Sequence, residues 1–440
     1  MLRKRIQLGM IHLAVAMTLV PINSTLNRVM IKELALSATL VAVLASLPYL
    51  FAPIQVAIGS LSDRHPLLGY RRSPYILLGL VLCVIGLVLS PQAAFLMAEN
   101  LWAGIALGVL AFGAWGMGYN FSAVCYLSLA TELSGEKGRG KTVAVMWFMM
   151  IVSIIVTAIG LSRMIDPYTP EAMIRAFWVV GGVALVLGLA GLVGLEPRMR
   201  SAAEFEKGQP ASEGQSWKTL ARAVLENRQA TFFFVYLTLL LAALLGQDIL
   251  LEPFGGEAFG MAVKETTRIT SIWGGSFLVA LLISGALEGR VAKRRMAFWG
   301  GVGALAGFAL IAASGLLLNT SVFYTGLVLL GIGSGISTVS NLSLMFDMTT
   351  AQKVGLFIGA WGMSNAISRL LGSVLGGAVR DAASQIANNP LAGYVIVFGL
   401  EGLFVLVSLF MLGRIDVKAF RKQAEQPGLV ERAALITDAG

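Results

Sequence analysis

A basic turn and a few ionisable residues set in apolar surroundings are the places in this sequence where chemistry could be done. The turn reads Gly59-Ser-Leu61-Ser-Asp63-Arg64-His-Pro-Leu-Leu-Gly69-Tyr-Arg71-Arg72. A small residue that lets helices close up, a carboxylate at a helix end and guanidinium groups beyond a turn can form a charge latch. In such a latch the aspartate caps the positive end of a neighbouring helix and pairs with arginines. Asp63 would then meet Arg139 or the start of the apolar stretch after it, while Arg64, Arg71 and Arg72 would meet Glu132. The alternative is that these charges are solvated loop residues that only set topology.

The other candidates lie inside apolar stretches, where charge is costly and marks either function or a paired structural contact. Arg28 stands near the outer end of the first stretch and Asp248 near that of the seventh, so the two are expected to face each other. Asn23, Asn27 and Gln247 stand beside them. This group reads as a gate or a polar contact for a ligand, or as interfacial residues reaching for headgroups. Arg369 and Glu401 fall at equal depth on consecutive stretches and are expected to form a structural ion pair. No unpaired carboxylate is evident in the middle of a stretch, which weakens a proton-coupled reading. Only two histidines exist, His12 and His65, so a multi-histidine metal site is excluded. A neutral imidazole at His12 could ligate the magnesium of a tetrapyrrole, or pack as an ordinary interface residue.

The elements that must position these groups are membrane helices. Of the residues 57% are hydrophobic and 13% charged, with a mean hydropathy of +0.79, which places the chain outside soluble composition. A bilayer span needs about 20 mostly apolar residues. Twelve stretches qualify: 9–30, 36–60, 74–93, 101–128, 142–164, 174–195, 231–251, 270–288, 296–318, 321–345, 354–378 and 391–413. The first carries Asn23, Ser24, Asn27 and Arg28 and lacks a small-residue cleavage site, unlike a signal peptide. Cys83 and Cys125 both fall inside stretches, which predicts neither a disulfide framework nor a metal site.

With both termini cytoplasmic, 25 of the 33 lysines and arginines fall on the cytoplasmic side. The positive-inside rule therefore accounts for the net charge of +9 and leaves nothing for nucleic acid to explain. Some of this charge could hold anionic lipid headgroups. The polar interval 196–230 reads as a cytoplasmic linker, with a short surface helix around Trp217 to Leu225. It separates a six-helix half, 1–195, from a second, 231–413, which is followed by a cytoplasmic tail, 414–440. The basic turn recurs 226 residues later as Gly285-Ala-Leu287-Glu288-Gly289-Arg290 with Lys293, Arg294 and Arg295. Leu127-Ser128-Leu129, Glu132 and Gly140 recur at an offset of 215 as Leu342-Ser343-Leu344, Asp347 and Gly355. Two six-helix halves in parallel repeat are the architecture of the major facilitator superfamily, an all-α membrane fold of twelve transmembrane helices. The glycine runs Gly113-Ala-Trp115-Gly116-Met-Gly118 and Gly331-Ile-Gly333-Ser-Gly335 should permit close helix contact.

Four longer motifs make the resemblance specific. They are Asn23-Ser-Thr25-Leu26-Asn27-Arg28-Val29-Met30-Ile31-Lys32-Glu33-Leu34, Leu47-Pro48-Tyr49-Leu50-Phe51-Ala52-Pro53, the turn from Ser62 to Tyr75, and Gln247-Asp248-Ile249-Leu250-Leu251-Glu252-Pro253-Phe254-Gly255-Gly256. Together they resemble the bacteriochlorophyll-delivery family, the PucC/LhaA-type branch of the major facilitators. Pro66 and a shorter turn depart from the purple-bacterial antenna branches.

The resemblance implies a photosynthetic membrane protein that delivers or holds (bacterio)chlorophyll, or shepherds antenna or photosystem subunits during assembly. The implied partners are membrane lipids, a pigment-synthesis enzyme and those subunits. A long-tailed pigment would enter between helices or lie on the apolar face, with its polar head near Asn23, Asn27, Arg28 or His12. Two further readings stay open, a small-solute transporter with alternating access and a purely structural partner. An enzyme is not expected, because no nucleophile–base arrangement, phosphate loop or metal cluster is present.

Overall fold

The computed structural model describes residues 2–198, 228–287, 289–347 and 354–415. The expected surface helix around Trp217 to Leu225, Glu288 of the repeated turn and the tail from residue 416 lie outside them, as do the side chains of Arg139 and Asp347. The described residues are helical throughout apart from short turns. Among the described residues, ten helices are long and apolar enough to cross a membrane.

Helix α1 runs from Leu2 to Glu33. It turns π-helical over Pro21–Leu26 and again over Val29–Glu33. The second predicted span is not one helix. It is a series of short pieces: α2 (Ala38–Ala45), α3 (Leu47–Leu50), a 3-10 turn (Ala52–Ile54) and α4 (Gln55–Arg64). Pro48 and Pro53 cause the breaks, because neither offers an N–H to the helix ladder. Helices α5 (Ser73–Glu99), α6 (Leu101–Gly135), α7 (Lys141–Met164) and α8 (Pro170–Leu192) follow. Gly135, at φ +61°, ends α6 in a backbone conformation that disfavours side chains.

The second half begins with α9 (Arg228–Ile249), whose last turn is 3-10, and the short α10 (Leu251–Phe259). Then come α11 (Val263–Leu287), α12 (Lys293–Leu317), α13 (Thr320–Asp347), α14 (Val354–Ala387) and α15 (Pro390–Leu412). Several starts are written in the sequence. Thr169 and Asn389 accept hydrogen bonds from Ala172 and Leu391 N–H, each just before a proline at the first helical position.

Helices α1, α5, α6, α7 and α8 pack with one another, and α9 packs with α14 and α15 beside the α11–α12–α13 group. The two sets meet at three places: α7 against α11, α2 with α3 against α14, and the π-helical end of α1 against α10, α11 and the last turn of α9. The glycine runs do permit close contact. A Cβ on Gly116 would stand 2.9 Å from Pro48 N, and one on Gly333 only 2.3 Å from Ala304 N. Below, "proximal" denotes the end of the bundle that carries Leu2 and Ile415, and "distal" the opposite end.

Candidate functional site

The broken second span is held open from inside. Asn120 on α6 donates to the carbonyl oxygens of Pro48 at 2.9 Å and Gly116 at 2.8 Å, and Gln55 donates to Asn120 Oδ1 at 2.6 Å. A carbonyl freed by a helix break thus finds a side-chain donor, as a buried backbone group must. The break turns Tyr49 and Gln55 into a cavity between the two halves, of about 520 Å³. His12 and Asn23 from α1, Asp248 from α9 and Arg369 from α14 also line it, among mostly apolar and aromatic neighbours.

At mid-height Arg369 Nη1 stands 2.7 Å from Asp248 Oδ2, and Gln247 donates to Asp248 Oδ1 at 2.7 Å. The guanidinium lies 5.2 Å from the centre of the Tyr49 ring. An N-half aromatic therefore covers a C-half ion pair. Both expected pairings of these charges are wrong. Asp248 binds Arg369 and not Arg28. Glu401, 4% exposed on α15, has no hydrogen-bond partner on either oxygen. Position along a helix gives depth, whereas the partner depends on which way the side chain points around the axis. That angle is invisible at the resolution of span boundaries.

Arg28 sits instead in a distal seam. Its Nη1 is 2.8 Å from Glu33 Oε1, and its Nη2 donates to the Met261 carbonyl at 3.2 Å. Gly256 makes room for the guanidinium: a Cβ there would lie 2.4 Å from Arg28 Nε. Around it, Ser24 donates to Glu252, Thr25 and Thr267 hydroxyls meet at 3.0 Å, and Lys32 pairs with Glu257 at 2.6 Å. Asn27 is buried and donates to the Asn23 carbonyl at 2.9 Å, so of these two only Asn23 reaches the cavity. The seam residues of α1 lie in and beside its two π-helical segments. A π turn takes more residues than an α turn, which shifts the phase of the side chains around the axis.

A second distal contact has no counterpart among the expected pairs. Asp381 on α14 caps the start of α2, accepting from Ala38 N–H at 3.1 Å, Thr39 N–H at 2.8 Å and the Ser37 and Thr39 hydroxyls at 2.8 and 2.7 Å. The cap spans the two halves, and Gly377 lets α14 approach, since a Cβ there would be 2.7 Å from the Ala38 carbonyl. Ser37 before an apolar run is a cap signal that the sequence does contain. Its partner, 344 residues away, has no local signature.

The proximal turn does bring its charges together. Leu67 and Tyr70 exchange backbone hydrogen bonds at 3.0 and 2.9 Å, with Gly69 at φ +82°. That reversal returns Arg71 and Arg72 to Asp63, at 2.8 and 2.5 Å. Arg72 also reaches Glu132 at 3.0 Å and Ser62 at 2.5 Å. Gly59 sits on the α4 face turned to Val124. The expected set Asp63, Arg71, Arg72 and Glu132 thus assembles, whereas Arg64 is exposed and pairs with none of the described residues. The missed member is Glu196, just past α8. It accepts from the N–H groups of Arg71, Arg72 and Ser73 at 2.7 to 3.2 Å. A carboxylate on the free N–H groups that open a helix is favourable twice over, by hydrogen bonding and by the helix dipole. It fills the capping role expected of Asp63.

His12 is 8% exposed, and its Nδ1 has no hydrogen-bond partner. Its ring lies 5.0 Å from that of Tyr126, tilted by 34°. It lies in the third turn of α1, because the helix begins at Leu2. His65 remains at the surface of the proximal turn.

The profile of the PUCC protein family matches residues 25–420. Protein PucC of Cereibacter sphaeroides is 32% identical over 427 residues, covering 93% of this chain and 91% of that protein. A protein of Rhodobacter capsulatus described as the bacteriochlorophyll synthase 44.5 kDa chain is 28% identical, with 92% and 93% covered. Among solved structures, a point mutant of the nucleoside transporter NupG superposes with a TM-score of 0.73 at 15% identity, covering 94% of this chain and 99% of that one. A bacterial homologue of the lysosomal transporter Spinster, inward-facing and unoccupied, gives 0.71 at 14% identity, covering 97% and 98%. At such identities the structures speak for the fold alone. Two packed helical sets, a cavity between them and a match over most of the length lead to one assignment: the chain is a multi-pass membrane protein of the PUCC family, built on the major facilitator fold.

Proposed function

We propose that this protein is an assembly factor of a photosynthetic membrane, with both termini cytoplasmic, that holds or hands over a (bacterio)chlorophyll-type pigment. The observation that carries this reading is the cavity. It is lined by both halves, is mostly apolar, lies within the usual range of about 300–1,000 Å³ for small-molecule sites, and has the His12 imidazole in its wall. An imidazole among apolar neighbours is a fit ligand for the magnesium of a tetrapyrrole. His12 would hold the metal, Tyr126 would pack beside the ring, and Asn23 would meet the polar rim. A long hydrocarbon tail exceeds the cavity and would lie between helices. Arg28 drops out as a head-group contact because the seam occupies it, and Asn27 because it is buried and does not line the cavity. In this reading the protein handles pigment without transforming it. Its partners are membrane lipids, a pigment-synthesis enzyme and antenna or photosystem subunits.

Gentle purification from the native membrane, followed by pigment extraction, tests this. Stoichiometric pigment that is lost in His12→Ala supports the reading. Colourless protein that still brings down antenna subunits points to an escort role without a pigment site, and colourless protein without partners defeats both. A second reading, solute transport by alternating access, is favoured by the seam between the halves. It predicts that Asp63→Asn abolishes turnover, whereas an escort tolerates it.

A further inference from the structure

The seam holds one carboxyl group whose surroundings do not suit an anion. Glu252 is 2% exposed and lines the cavity. Its Oε1 accepts two hydroxyls, one from each half: Ser24 of α1 and Thr270 of α11, the latter at 2.7 Å. Its Oε2 is buried and has no hydrogen-bond partner. No described cation pairs with it.

Nearby charges are otherwise engaged. Arg28 holds Glu33 and the Met261 carbonyl, and Lys32 holds Glu257. Asp248 holds Arg369, and Lys264 holds Asp166. Glu265 accepts from Ala262 N–H, and the Arg380 guanidinium lies over the Tyr394 ring of α15. Asp381 caps α2 and holds Arg380, Tyr168 and Tyr324 stand beside these charges, and Arg268 on α11 and Glu401 on α15 are further ionisable groups, Glu401 with no hydrogen-bond partner. An ionised carboxylate here would have the Arg28 charge only beyond contact distance and no donor on Oε2, an arrangement that costs heavily away from water. With a proton on Oε2, Oε1 remains the acceptor for both hydroxyls and the buried group carries no charge.

We propose that Glu252 is a proton-binding site of the distal seam: the seam closes on the neutral carboxyl and parts when the proton leaves. Opening admits water to Oε2, which stabilises the anion, so proton loss and seam opening are linked. The direction follows. Closure is complete at low pH and is lost as pH rises through the value at which the closed state gives up its proton. This inference does not depend on what occupies the cavity.

The test uses full-length protein in lipid nanodiscs, spin-labelled at cysteines replacing Glu171 and Ser321. These are exposed residues at the distal starts of α8 and α13, one in each half. Cys83 and Cys125 are buried and stay unlabelled. Wild type should pass from a short to a long inter-label distance in one titration step as pH rises. Glu252→Gln, a neutral mimic, should stay short at every pH. Thr270→Val removes a donor that favours the anion, within one half, and should move the midpoint up by about one pH unit, a tenfold change in proton affinity. A distance that does not change with pH overturns the proposal, as does a Glu252→Gln protein that titrates like wild type. If Glu252→Gln fails to give monodisperse protein, Thr270→Val decides alone, and an unmoved midpoint rejects the site.

Discussion

The two ends of this molecule use charge differently. At the proximal end, Asp63, Arg71, Arg72, Glu132 and Glu196 tie the turn after α4 to α6 and to the end of α8, all within the first half. At the distal end, Ser24 with Glu252, Arg28 with Met261 and Asp381 with Ser37 to Thr39 all cross from one half to the other. The lesson is a division of labour. Proximal charges make one half rigid, and distal contacts decide whether the two halves are together. A mutation at one end should therefore change the stability of a half, and a mutation at the other should change the distance between halves.

The largest expected effect tests the distal side of that contrast. Gly377→Leu forces a side chain against the Ala38 carbonyl, a backbone clash that only separation of α14 from α2 relieves. A cost of about 3 kcal/mol is expected, the upper end for overpacking. Distal spin labels should move apart while the proximal ion pairs survive. Arg72→Ala comes next. It strips a buried guanidinium from Asp63 and Glu132, and because Glu132 is 38% exposed the loss should be about 2 kcal/mol. Thermal unfolding should fall while the distal distance stays fixed. A changed distal distance here would break the contrast.

Asp381→Ala removes the inter-half cap, for about 1–2 kcal/mol. It should raise labelling of a cysteine placed at Thr39 without moving the unfolding transition of the first half. Arg64→Ala should be silent, within about 0.5 kcal/mol, because the side chain is exposed and unpaired among the described residues. A measurable loss on unfolding would mean that the proximal cluster is larger than the contacts described.

How much of this is legible in the sequence follows from how far each contact reaches. The proximal set is readable because Asp63, Arg71 and Arg72 share one turn, and the turn's Gly69 makes the reversal. The close helix contacts are readable because runs of glycine have few other uses in a span. The pairing of Asp248 is not readable. Its partner on α14 stands at mid-height and the rejected partner on α1 nearer the distal end, and span boundaries are too coarse to tell which of them Asp248 reaches. The π-helical segments of α1 alter that direction for Arg28, and no residue type announces them. Glu252 lies inside the motif from Gln247 to Gly256, where nothing in its type sets it apart. What marks it is the buried Oε2 without a partner, a property of the folded surroundings. Glu401 shows the same limit: two charges at one height suggest a pair, and the helices turn them apart.

The most direct test of the account is to link the seam covalently. Thr25 and Thr267 hydroxyls are 3.0 Å apart across the two halves, close enough for the pair Thr25→Cys and Thr267→Cys to join. With a protease site inserted between residues 199 and 227, the oxidised protein in its own membrane can be cut and the fragments separated in detergent. The two halves should stay together after cutting and part only on reduction. Halves that separate despite oxidation would show that the distal contacts do not join them, and would contradict the division of labour between the two ends.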